Sequence, residues 1–208
     1  MARQATAGAE IGSETSTCPD PLEIRIGELL ACGDMKQAAT EAIRGYGPAL
    51  LRFLRGLLGS GAEAEEVFAR TSERIWRGLP EFRGEAAVRT WCFRLAWSAA
   101  ADFRKEAWGA RRRRLDTGEA AELAAAEGTA TWLRHERLRL SLATLRAGLT
   151  LEEQGLLQLR IDQQLSWAEC AGVMSVERPA PPVETLMKRF ERIKAKLGEL
   201  ARARGLLG

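Results

Sequence analysis

Lys188, Arg189, Arg192 and Lys196 stand at spacings that gather their charges along one helix, where ammonium and guanidinium groups can meet phosphates and base edges. Another side of the same segment is apolar. Leu186, Phe190, Ile193, Leu197 and Leu200 recur at steps of four, three, four and three, the stripe of a packed amphipathic helix. Upstream, Ser166-Trp167-Ala168-Glu169 reads as a capping box that fixes where a preceding helix starts. Between the two lies Ser175 to Pro182, with Pro179, Pro181 and Pro182. Proline suits a helix start because its missing N–H would have no partner there, so the second helix is expected to begin at Pro182. Two helices joined by a turn, the second with a basic face, form a helix-turn-helix pattern, and DNA is the expected ligand. A solvated helix in an ordinary bundle shares this pattern, so the rest of the chain decides.

Other chemistries find little to work with. The one histidine is His135, and Cys18, Cys32, Cys92 and Cys170 form no C-x-x-C pair. No metal, cofactor or disulfide framework is expected, and no nucleophile stands beside a base, so the chain is not read as an enzyme. Cys92 and Cys170 fall within apolar helical patterns, as small core residues do. No signal peptide or membrane-length apolar run is visible, and a cytoplasmic protein without membrane insertion is expected. The net charge of +3 over 208 residues permits nucleic-acid binding without demanding it. Its distribution says more. Arg104, Lys105 and Arg111 to Arg114 form a basic block, residues 116–131 hold four acids and no base, and residues 183–208 hold seven Lys or Arg against three Glu. Two positive blocks around an acidic spacer suggest two modules on one polyanion.

The elements that must position these groups are all helical. Residues 1–38 read as a mobile tail with a short helix near Leu22 to Leu30. Ile43, Tyr46, Leu50, Phe53, Leu54 and Leu57 then mark a helix ending at Gly59-Ser60-Gly61, and a second runs from Ala62 to Leu79 before Pro80. A third starts near Ala86, with Val88, Trp91, Leu95, Ala99 and Phe103 on one side. After a flexible acidic linker at 116–133, residues 134–208 form a second module, in which Thr150-Leu-Glu-Glu153 caps a helix reaching Ile161. The expected class is all-α: two small helical domains, 39–115 and 134–208, on that linker.

Taken in order, Ala64-Glu65-Glu66, Arg74-Ile75-Trp76, Phe82-Arg83-Gly84, Arg89-Thr90-Trp91, Arg94-Leu95-Ala96 and Asp102-Phe103-Arg104-Lys105 resemble region two of bacterial sigma factors. Leu151-Glu-Glu-Gln154, Leu165-Ser-Trp-Ala-Glu169 and Glu184 to Leu197 are similar to region four. Having only these two regions, the chain resembles the extracytoplasmic-function class of the sigma-70 family over residues 40–202. The resemblance implies docking on core RNA polymerase through Glu65, Glu66, Arg70, Glu73, Arg74 and Trp76. It implies recognition and melting of the minus-ten promoter DNA through residues 82–87, including Arg83, and through Trp91, Arg94, Trp97, Ser98, Arg104 and Lys105. It also implies minus-thirty-five recognition through Thr185, Lys188, Arg189, Arg192 and Lys196, and allows an anti-sigma factor as a partner. Melted DNA offers base faces for aromatic stacking and backbone charge for arginine. Trp91 lies on the apolar stripe, where core packing also suits it. Trp97 falls off that stripe and is the stronger stacking candidate, while Arg189, nearest the helix start among the arginines, is the candidate base reader.

Three residues depart from the family pattern, as does the long proline-bearing turn from Ser175 to Pro182, where a tight, glycine-bearing turn is usual. Ala69 stands where glutamine is usual, and Trp97-Ser98 where an arginine-asparagine pair is usual. The missing amides favour an alternative: a divergent sigma-like module that binds polymerase or an anti-sigma partner without opening promoters.

Overall fold

A computed structural model describes residues 20–117, 148–175 and 180–203. Residues 1–19, most of the expected linker, the stretch 134–147 with His135, and Pro179 lie outside it.

The first module is built on four helices. α1 spans Pro21–Ala31, α2 Met35–Leu58, α3 Gly61–Gly78 and α4 Val88–Thr117, with a 3-10 turn at Leu79–Glu81. Side-chain caps fix the starts: the carboxylates of Asp20 and Asp34 accept the N–H groups of Leu22 and Gln37 at 3.0 and 3.1 Å. Gly59, at φ +78°, ends α2 in the left-handed conformation that glycine adopts without strain. Leu50, Phe53, Leu54, Leu57, Ile75 and Phe93 are fully enclosed, and the rings of Phe53 and Phe93 meet edge to face at 5.4 Å.

α1 departs from the expected tail. It seals Ile26 into the core and brings Glu23 to the start of α4, where its carboxylate accepts the N–H groups of Val88 and Arg89 and the Tyr46 hydroxyl. The N-terminal cap of α4 thus comes from a helix 65 residues away in sequence, and it sits at the positive end of the helix dipole.

The second module holds α5 at Leu151–Leu157, α6 at Trp167–Val173 and α7 at Val183–Ala203. Both capping boxes form, Thr150 with Glu153 and Ser166 with Glu169. The Pro182 carbonyl accepts from Thr185 and Leu186, and Leu186, Phe190 and Ile193 are buried beneath α7. The helix expected to reach Ile161 instead loosens into a π-turn at Gln158–Asp162, closed by Gln163 N–H to Gln158 carbonyl at 3.0 Å. Two residues further, Gln164 has φ +54°, a strained value for a residue with a side chain.

The two modules pack together along α4 and α6, and along α2 and α5.

Candidate nucleic-acid interface

The expected docking face lies along α3. Arg70 binds Glu66 at 2.8 Å and reaches Glu106 of α4 at 2.9 Å, and Arg74 binds Asp102 at 2.8 Å and the Ser98 hydroxyl at 3.3 Å. These pairs run α3 and α4 antiparallel, so Arg70 and Arg74 tie helices together as well as lining a surface. The hydrogen bonds that Arg70 donates to Glu106 and Glu66 raise its pKa further above its already high value. Glu73 pairs with Arg77 at 2.7 Å, Glu65 with Arg55 at 3.0 Å, and Trp76 is 46% exposed.

The loop ahead of α4 gathers a second group. Phe82 and Trp91 meet with ring centres 5.3 Å apart, and Trp91 lies over Gly78, where a Cβ would stand 3.1 Å from the indole. Gly84, at φ +71°, lets the loop turn. Phe82, Arg83, Trp91 and Arg94 border a cleft of about 270 Å³ that Gly172 of the second module also lines. Trp91 is half-buried, and both arginines are exposed. The aromatic wall with Arg83 and Arg94 at its rim can stack an unpaired base, while Glu81 and Glu85, which line the same cleft, oppose a phosphate on their side. Further along α4, Arg104 donates to the Leu57 carbonyl at 2.6 Å and so serves the end of α2, and Lys105 is exposed.

Trp97 corrects the sequence reading. It is only 7% exposed, pressed against Gly155 of α5, where any Cβ would collide with the indole. Reading one apolar stripe assumed that α4 packs on one side, whereas the second module covers another. The same covering buries Thr90, whose hydroxyl donates to Glu169 at 3.1 Å, and engages Arg89, which donates to the Gln163 carbonyl at 2.8 Å. Burial pushes the Glu169 carboxyl up, but hydrogen bonds from Ser166 and Thr90, with the charge of Arg89, hold it below the usual carboxylate range. At the other end of the seam Gln158 lies on Gly56 of α2 in the same manner. Each module therefore seats a large side chain of its partner on a helix-interior glycine. Glycine there costs about 1 kcal/mol of helix propensity, and this cost was the available sequence signal for a close approach.

On α7 the basic residues divide. Arg189 pairs with Glu152 at 2.7 Å and Lys196 with Glu153 at 3.2 Å, both on α5, while Thr185, Lys188 and Arg192 are exposed. The expected base reader is thus turned toward its own module. Cys92 and Cys170 are buried as anticipated, and burial pushes the Cys170 thiol up to about 11.

Residues 42–110 match the family Sigma-70 region 2. No curated protein sequence gives a match. Among solved structures, the fold is similar to that of CnrH in complex with the cytosolic domain of CnrY, with a TM-score of 0.62, 20% identity, and 88% of this chain and 99% of that chain covered. It is also similar to the sigma factor RpoE in complex with the anti-sigma factor NepR from Bartonella quintana, with a TM-score of 0.54, 20% identity, and coverage of 81% and 97%.

Proposed function

We propose that this chain, whose residues 42–110 match Sigma-70 region 2 and whose all-α fold is similar to that of the sigma factor RpoE, is a sigma factor of the sigma-70 family that binds core RNA polymerase and directs it to promoters, acting by recognition rather than catalysis. The observation that carries this reading is the aromatic cleft of Phe82 and Trp91 rimmed by Arg83 and Arg94, placed within that matched region. Glu65, Glu66, Arg70, Glu73, Arg74 and Trp76 form the polymerase-docking face. The cleft, with Trp97, Ser98, Arg104 and Lys105, engages and melts the minus-ten element. Thr185, Lys188 and Arg192 lead the minus-thirty-five contact, and Arg189 and Lys196 join once they exchange their glutamates for phosphate. Among the described residues no helix is long and apolar enough to cross a membrane, and cytoplasmic action on the polymerase is part of this proposal.

The arrangement described is the closed form of such a factor. Thr90 and Trp97 lie under the second module, so the module must swing away before Trp97 can meet an unpaired base. An anti-sigma partner, such as RpoE has in NepR, would keep transcription off here if it held the modules together. Run-off transcription with core enzyme and a genomic promoter library tests the reading. Discrete transcripts that depend on the protein are expected. Core binding without any transcript would favour the divergent interaction module, to which the absent amides at Ala69 and Ser98 also point.

A further inference from the structure

Between the modules, on the side of the seam formed by α2 and the π-turn, opens a cleft of about 570 Å³ bordered by Arg52, Arg55, Gly56, Gln158 and Asp162. Three features mark it as more than a gap in packing. Gln158 is 3% exposed, yet its Nε2 has no hydrogen-bond partner, and a buried amide donor left unpaired in a native fold calls for an explanation. It stands in a π-turn, a rare distortion that collects at functional sites. Two arginines line the same space, and Arg52 makes no ion pair among the described residues. Arg55 is paired to Glu65, an exposed contact that leaves other N–H groups of its fork available.

Two arginines of the first module and an unpaired amide of the second border one cleft, a donor set that suits an oxyanion, and two arginines suit a phosphate above a single carboxylate. Asp162 decides which oxyanion. An ionised carboxylate accepts hydrogen bonds and donates none, so it repels a fully deprotonated anion but can accept the proton of a P–OH group. Sulfate carries no such proton. We propose that this cleft is a regulatory site for a proton-bearing phosphate, either free or as the terminal group of a small phosphomonoester, bridging Arg52 and Arg55 of the first module to Gln158 and Asp162 of the second. Because the site exists only while the modules are together, its occupation favours the closed form by mass action, and the same ligand opposes any step that requires opening.

The test is calorimetric titration of the full chain at about pH 6, near the second pKa of a phosphomonoester, with ionic strength held constant by chloride. Inorganic phosphate, sulfate and adenosine monophosphate are the three probes. Saturable binding of phosphate or of the nucleotide, with sulfate much weaker, is expected, and the tighter of the first two identifies the source. Arg52→Gln, at an exposed position where folding is little disturbed, should weaken phosphate about tenfold by removing one charge-assisted contact. Asp162→Asn should bring sulfate level with phosphate. Sulfate binding the parent as well as phosphate does, no saturable binding of either phosphate probe, or phosphate affinity untouched by Arg52→Gln would overturn the assignment. None of these readings involves polymerase or promoter, so they stand apart from the transcription test.

Discussion

The faces that α4 and α7 present carry similar chemistry, cations beside apolar or aromatic groups, but they are covered in different ways. On α4, Thr90 and Trp97 lie beneath the second module, and Arg89 is bound to a backbone carbonyl across the seam. On α7, the covering is two ion pairs to α5 whose side chains remain from 23% to 52% exposed. Exposed ion pairs are worth about 0.2–1 kcal/mol, so Arg189 and Lys196 can trade glutamate for phosphate without any helix moving. A buried indole cannot trade. Uncovering α4 means displacing a module, and this difference makes the proposed melting face the gated one and the α7 face the accessible one.

The largest blow to that comparison comes from Trp97→Ala. Removing a buried aromatic side chain typically costs about 3–5 kcal/mol, and here the loss falls on the seam as well as on α4. Denaturant unfolding should show the destabilisation. Open-complex formation should fall on duplex promoters and be partly restored on templates with a pre-melted bubble, since base stacking contributes about 1–3 kcal/mol. Equal loss on both templates would reduce Trp97 to packing.

Gly155→Leu attacks the same contact from the other module while leaving α4 intact. Overpacking costs about 1–3 kcal/mol, against which the leucine recovers about 1 kcal/mol of helix propensity. The seam should open, the chain should expand in small-angle scattering, and binding to a single-stranded minus-ten oligonucleotide should tighten. An unchanged radius of gyration would show that the Gly155 seat does not hold the modules together.

A smaller effect separates the polar from the apolar half of the seam. Glu169 has a folded pKa below its ordinary range, so its contribution is fully present above an unfolded glutamate pKa of about 4.3 and is lost as pH falls through the depressed folded value. Acidification below about pH 4 should therefore loosen the α4–α6 contact in the parent. Glu153 is lowered as well, chiefly by the Thr150 backbone, so the parent must be compared with Glu169→Gln. The variant should lose part of this acid sensitivity, measured as unfolding free energy against pH. Identical profiles would show that the Glu169 charge contributes nothing to the seam, leaving its strength to Trp97, the Arg89–Gln163 bond and the Gln158 seat on Gly56.

Local rules reach far in this chain and stop at the seam. Both capping boxes, the α7 stripe and the stop of α3 before Pro80 were legible because each depends on neighbours within one or two turns. Glu23 was not, because its partners Val88 and Arg89 are distant in sequence and nothing near residue 23 announces a cap for another helix. The π-turn escaped because one extra residue in a turn leaves the apolar pattern almost unchanged. Trp97 misled for a physical reason: a stripe assigns one buried side per helix, and α4 has two. Gly56 and Gly155, both inside helices where glycine is unfavourable, carried the missing information in plain view.

The smallest expected change is also the one that distinguishes the roles on α7. Arg189→Ala removes an exposed ion pair, so stability should shift by at most about 1 kcal/mol, and its consequence must be sought in DNA binding. Lys188 and Arg192 already face outward, and loss of either as a phosphate contact should weaken all duplexes alike and lower the salt slope by about one. Arg189 has two courses open. If it leaves Glu152 to read a base, Arg189→Ala relaxes preference at one base pair by about 1–3 kcal/mol, and Glu152→Gln tightens binding because the arginine no longer has to give up a carboxylate. If it stays on Glu152, sequence preference is unchanged in Arg189→Ala and Glu152→Gln brings no gain. Titrations of the parent and the four variants against a preferred and a scrambled duplex at several salt concentrations separate the two. A flat result for Lys188→Ala and Arg192→Ala as well would mean that the accessible face is not the reading face, and the contrast with the gated face of α4 would fail.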